Sequence, residues 1–184
     1  ERVTRDPEEV RSAAERLEPP AETLQVLEIR ERNLAGSGRL DLYGDYHQFP
    51  SYADRLREKA RRSRATVAFH GAFAHPELGQ VLSNIDALVV PSIWPENNPR
   101  VVHEAFAAGV PVVGSDVGGI SEFVCHGING LLFKRGDAVD LARQMRRFVQ
   151  EPTLLARLQG GIPLVKTIEQ EVAELIDVYG QLSG

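Results

Sequence analysis

Apolar residues follow two different periods along this chain. Residues 1–36 are polar and acidic, with helical spacing at Val10, Ala13, Ala14 and Leu17, a break at Pro19-Pro20, and helical spacing again at Leu24, Leu27 and Ile29. From Arg39 the pattern changes. Short continuous apolar runs (RLDLYG, TVAFHG, IDALVVPS, VPVVGS and GLLF) alternate with helical stretches at SYADRLREKARRS, PELGQVLSNI, Pro99 to Ala108 and Ile120 to Cys125. Strands that are apolar along their whole length have both faces covered, so the pattern predicts an α/β fold, a doubly wound parallel sheet over residues 37–184, preceded by a polar helical segment over 1–36 whose role is uncertain. Two more helices are expected, at Asp137 to Val149 and about Val165 to Tyr179. The stripe Ile168, Val172, Leu175, Ile176 and Tyr179 on the second reads as core.

In such a sheet, ligands settle outside the carboxyl ends of the strands. Chemistry is therefore expected just after Gly44, Gly71, Pro91-Ser92 and Ser115.

Composition narrows the classes. With 184 residues, 42% of them apolar, the chain can close one core and is too short for two full-sized nucleotide-binding domains. A net charge of −5 argues against nucleic acid as a partner, because counterion release needs a surplus of Lys and Arg. The basic run Arg55 to Arg64 reads as a solvated helix face, with peripheral contact to phosphate or anionic lipid as the rival reading. Cys125 is the single cysteine, which excludes an intrachain disulfide and suits a cytoplasmic setting. No apolar run reaches the roughly 18 residues of a membrane span, and the charged start ERVTRDPEEVR lacks a signal-peptide pattern.

Several motifs fail. Gly36 and Gly38 lack the third glycine of a dinucleotide fingerprint and precede a strand instead of following one; no P-loop text exists. The histidines at 47, 70, 75, 103 and 126 are scattered, so no metal is expected. Neither Ser92 nor Ser115 sits in a GxSxG elbow.

The stretch WPENNPRVVHEAFAAGVPVVG, from Trp94 to Gly114, carries more. Asn98 reads as an N-cap, Pro99 suits the first turn of a helix, and Gly109 sits where its C-cap belongs. Such a start offers the free amides of roughly Arg100, Val101 and Val102 and the positive end of the helix dipole, a seat for phosphate. Glu104 lies on the face of Arg100 and Val101, placed to accept hydrogen bonds from a vicinal diol, while Glu96 precedes the helix in its loop. Spacing alone is weak, since Glu1 and Glu9 share it.

Glu96 to Glu104 as E-x7-E, followed by AFAAGVPVVGSDVGGISEFV and HGINGLLF and preceded by IDALVVPS, resembles the C-terminal, donor-binding domain of retaining GT-B glycosyltransferases of group 1, family 4. The resemblance covers about residues 39–180 and implies a Rossmann-like half of a GT-B fold that binds a nucleotide-diphosphate sugar without metal or other cofactor. It implies that Glu96 contacts the transferred sugar and serves the catalytic step. It further implies that Asn97, Asn98, Pro99, Arg100 and Val101 bind the donor, with the amides near Pro99 to Val101 holding the phosphates, that Glu104 binds the ribose, and that Gly71 and Ala72 border the base. Gly44, Gly118 and Gly119 are lesser candidates around the same site. The partner it implies is an N-terminal acceptor-binding domain, without which the chain is expected to transfer no sugar. One departure stands out: the strand and Arg/Lys phosphate loop that open the family's domain have no counterpart before Arg39, and the first lysine is Lys59. A non-catalytic nucleotide-sugar-binding or interaction module of the same fold is the alternative.

Overall fold

The computed structural model describes residues 26–29, 39–47, 49–62 and 66–182. Six strands form one sheet: β1 (Val26–Ile29), β2 (Arg39–Tyr43), β3 (Thr66–Gly71), β4 (Ala87–Val90), β5 (Val112–Ser115) and β6 (Gly130–Phe133), in the order β3-β2-β1-β4-β5-β6. The described helices are α1 (Pro50–Arg62), α2 (Leu78–Leu82, after a 3₁₀ turn at His75–Glu77), α3 (Arg100–Ala107), α4 (Gly118–Phe123), α5 (Ala138–Gln150), α6 (Leu154–Gly160) and α7 (Ile168–Leu182).

Strand β4 shows why every position of these runs is apolar. Leu88 and Val90 pack with Val102, Phe106 and Ile120 on one face, whereas Ala87 and Val89 pack with Leu131, Phe148 and Leu158 on the other. Alternation along the strand thus feeds two cores, and both faces are dry. Each fully buried Leu or Ile contributes about 1.5–3 kcal/mol, so Leu88, Ile120, Leu131, Leu154 and Leu158 anchor the two layers.

Three expectations are corrected. The spacing at Leu27 and Ile29 belongs to a strand, not a helix, and β1 runs antiparallel to both β2 and β4, so the sheet is mixed. The reason is chain length. Nine residues separate Ile29 from Arg39, fewer than the dozen or more a parallel crossover needs, whereas an antiparallel neighbour can be reached directly. The remaining pairs, β2 with β3, β4 with β5 and β5 with β6, are parallel as expected.

The second correction is α7, whose stripe is not core: Ile168 is 76% exposed and Tyr179 67%, and Val172, Leu175 and Ile176 are exposed with them. Periodicity measures amphipathicity, and no described element covers this face. The third is the start of α3, where Pro99, and not Asn98, occupies the N-cap position. Helix α6 escaped the sequence reading, although its Leu154 and Leu158 are fully buried. The pattern at Val10 to Leu17, Gly36 and Gly38 lie outside the described residues. Among the described residues no helix is long and apolar enough to cross a membrane.

Candidate functional site

Helix α3 begins where β4 has delivered the chain to the carboxyl edge of the sheet. Val102, Ala105 and Phe106 turn one face into the core, which leaves Arg100 and Glu104 on the outer face. Pro99 is extended (φ −73°, ψ 90°), fully buried, and followed by a first turn that no side chain caps. The amides of Arg100 and Val101 precede any intrahelical acceptor, so the helix start presents donors and partial positive charge, whereas the Val102 amide, expected to be free, donates to the Pro99 carbonyl at 2.9 Å because the turn closes there. After the last turn, Gly109 takes the left-handed conformation (φ 73°) expected of a C-cap region.

The loop ahead of α3 is held from two sides. Ser92, buried at the end of the β4 segment, donates its hydroxyl to Glu96 Oε1 at 2.6 Å, and Gly119 donates its amide to the Glu96 carbonyl at 2.6 Å. Glycine is required at the second contact: a Cβ on Gly119 would stand 2.5 Å from the Asn97 carbonyl oxygen. Gly118 and Gly119 therefore act here by seating the Glu96 loop. Sequence reasoning weighed Ser92 only as a nucleophile and missed it as the partner of Glu96. A serine four residues before that glutamate was the available signal.

On α3, the Glu104 carboxylate is 27% exposed and lies 3.5 Å from Arg100 and 3.7 Å from His75 Nε2. The Arg100 contact confirms that Arg100 and Glu104 share a face. His75 opens the 3₁₀ turn after β3, so Glu104 stands between the start of α3 and the loop that leaves Gly71. His75 was not a candidate, since no local pattern marks it.

Beyond that turn lies an open pocket of about 340 Å³, lined by Tyr43, His70, Ala72, Phe73, Gln80 and Asn84 among others. One wall is aromatic, and Glu77, Gln80 and Asn84 make the rest largely polar. Tyr43 stacks on His70 with ring centroids 4.5 Å apart and meets Phe73 edge-on at 5.6 Å. His70 is oriented from below by the buried carboxylate of Asp41, which also accepts from Arg39 at 2.6 Å. Gly44 donates its amide to the Gly71 carbonyl at 2.9 Å, closing the ends of β2 and β3 at the pocket's edge. The structure thus brings Glu96, Asn97, Asn98, Pro99, Arg100 and Val101 together in one loop and helix start, with Glu104 beside it. Gly44, Gly71 and Ala72 gather at the neighbouring pocket. Among the described residues no group of three or more His, Cys, Asp or Glu is disposed to hold a metal ion.

The fold is an α/β sheet with a helix start and two carboxylates, Glu96 and Glu104, near its carboxyl edge. Residues 23–151 match the family model described as Glycosyl transferases group 1, and the chain belongs to that family. It is similar to the glycogen synthase of Mycobacterium tuberculosis strain H37Rv, 37% identical over 106 residues, which are 56% of this chain and 25% of that protein. The 2-deoxystreptamine glucosyltransferase of Streptomyces kanamyceticus is 34% identical over 94 residues, 50% of this chain and 24% of its own. Among solved structures, Anabaena HepE in complex with UDP and glucose superposes with a TM-score of 0.62 at 28% identity, covering 75% of this chain and 40% of that one. Sucrose-phosphate synthase from Thermosynechococcus elongatus gives 0.63 at 26% identity, over 77% and 38%. The chain spans about a quarter of the length of these curated relatives.

Proposed function

We propose that this chain is the donor half of a retaining, family 4 glycosyltransferase of the cytoplasm, binding a nucleotide-diphosphate sugar for hexosyl transfer to an acceptor held by an N-terminal domain. The uncapped start of α3, with Glu96 before it and Glu104 one turn along it, carries this reading. The diphosphate sits on the amides of Arg100 and Val101, and these, with the helix dipole, offset its charge without a metal. Glu104 accepts from the two ribose hydroxyls, and the base lies toward Gly71, Ala72 and the aromatic-walled pocket. Glu96, fixed by Ser92, faces the transferred sugar and stabilises charge as the bond to phosphate opens. The UDP and glucose found in HepE support the choice of ligand class.

Thermal shifts with UDP, GDP, ADP and their sugar conjugates test the reading, since a ligand at 100 times its dissociation constant adds roughly 2.7 kcal/mol. Glu96→Gln is expected to leave the affinity for the bare nucleotide unchanged and to lower that for its sugar conjugate by about threefold to tenfold. Equal losses for both would place Glu96 on the nucleotide. If no nucleotide stabilises the chain, the domain is an interaction module of the same fold.

A further inference from the structure

The loop that carries Glu96 also carries the largest side chain in the protein, and it is in solvent. Trp94 is 66% exposed and Ile93 58%, directly after buried Ser92 and two residues before Glu96. Exposure of an indole is unfavourable by its apolar area, and this one does not come from slack chain. The Glu96 amide donates to the Trp94 carbonyl at 3.0 Å, Ser92 and Gly119 hold Glu96 from either side, and a Cβ on Gly118 would lie 3.0 Å from Pro95 Cα. The backbone is thus pinned on both sides of a flat aromatic group presented outward.

We propose that Trp94, with Ile93, is a stacking platform for a neutral pyranose ring of the acceptor. This rests on the reading of Glu96 as the residue beside the transferred sugar. On that reading the donor sugar lies beside the Glu96 carboxylate, which Ser92 holds at the buried side of the loop, and a ring resting on the solvent-exposed indole belongs to the molecule that arrives from solvent. A pyranose has an apolar C–H face of about the size of an indole and a polar edge of hydroxyls. Trp94 offers the matching flat surface, and the exposed amides of Asn97 and Asn98 offer both donors and acceptors for the hydroxyls. An acyl chain or a protein partner would call for a broader apolar patch of several hundred Å². Here three consecutive exposed apolar residues, Ile93, Trp94 and Pro95, are edged by Glu96, Asn97 and Asn98.

Trp94 is the only tryptophan in the sequence, so its emission reads the platform directly. In the chain saturated with UDP, GDP or ADP, whichever binds, the methyl glycosides of glucose, galactose and mannose and maltotriose are titrated. At least one is expected to cause a saturable blue shift. Trp94→Phe, read by calorimetry, should weaken that saccharide by about threefold and Trp94→Ala by about tenfold, with nucleotide affinity unchanged in both. No response to any of the four saccharides, a response to detergent micelles alone, or equal saccharide affinity in Trp94→Ala each overturns the platform. Failure of every nucleotide to bind overturns the proposed function instead, and a saccharide response without nucleotide leaves the platform standing on its own.

Discussion

Two helices in this sheet begin in opposite ways. At α5, Asp137 turns its carboxylate back onto the amides of Val139 and Asp140, each at 3.0 Å, and Asp140 in turn accepts from the Lys134 amide at 2.9 Å. That start is closed. At α3 the equivalent position is Pro99, which has no side-chain acceptor; Val102 donates to its carbonyl, and among the described residues no side chain caps the amides of Arg100 and Val101. A side-chain cap stabilises a helix by about 1 kcal/mol, and α4 and α6 also begin without one, so what sets α3 apart is the pair of carboxylates beside its start. An anion from outside can take the seat a side chain would otherwise fill, and under the proposed function α3, not the capped α5, is where one sits.

The comparison can be broken most severely at the loop that keeps α3 open. Gly119→Ala brings a methyl group 2.5 Å from the Asn97 carbonyl, so the Glu96 loop must unseat. A loss of about 3 kcal/mol in stability, by denaturant titration, and loss of nucleotide binding are expected; wild-type behaviour in both would mean the loop does not depend on this contact.

Glu104→Ala is gentler on the fold and severe at the site. Its pairs with Arg100 and His75 are largely exposed, so stability should stay within about 0.5 kcal/mol. Nucleoside diphosphate affinity should fall about tenfold to a hundredfold through two lost charge-assisted hydrogen bonds. Calorimetry giving equal affinities would remove Glu104 from the ribose.

Asp137→Ala sharpens the contrast from the other side. Opening α5 should cost about 1 kcal/mol and leave nucleotide affinity untouched, since under the proposed function the nucleotide is held at α3 and Asp140 keeps a negative charge in the first turn of α5. A gain of phosphate binding at α5 would show that any uncapped start in this sheet suffices.

The smallest effect is one of pH. The hydrogen bond from the Lys134 amide, and then that from Arg143, hold the Asp140 carboxyl below the usual aspartate range. A depressed folded value means that this contribution is complete above the unfolded pKa and is lost as the pH falls through the folded one. Melting temperatures followed down from about pH 5 should therefore decline less steeply in Asp140→Asn than in the parent, the two converging in strong acid. Parallel curves would assign the acid sensitivity to other carboxylates.

Much of α3 was readable in advance because its signals are short-range. Pro99, Gly109 and the one-turn spacing of Arg100 and Glu104 act within a few residues, through backbone dihedrals and 3.6-residue geometry that hold in any surroundings. The partners of the glutamates were not readable in the same way. Gly119 reaches Glu96 across 23 positions and His75 reaches Glu104 across 29, and nothing local in either text marks the meeting. The exposed stripe on α7 shows the same limit in reverse, since its pattern matches that of a buried helix and only its neighbours distinguish the two.

By itself the sequence determined that strands and helices alternate from Arg39 onward, that β4 and β5 are buried on both faces, and that a helix starts beside Glu96 with Glu104 one turn in. These follow from side-chain period and backbone preference, which each residue carries with it. Tertiary structure alone decided that β1 enters the sheet antiparallel, that Ser92 and Gly119 hold the Glu96 loop, that Trp94 stays in solvent, and that α7 lies uncovered. Those outcomes depend on which distant segment fills a given space. Loop length, the room above a glycine and the presence of a covering layer settle that, and none of them is a property of the local residues.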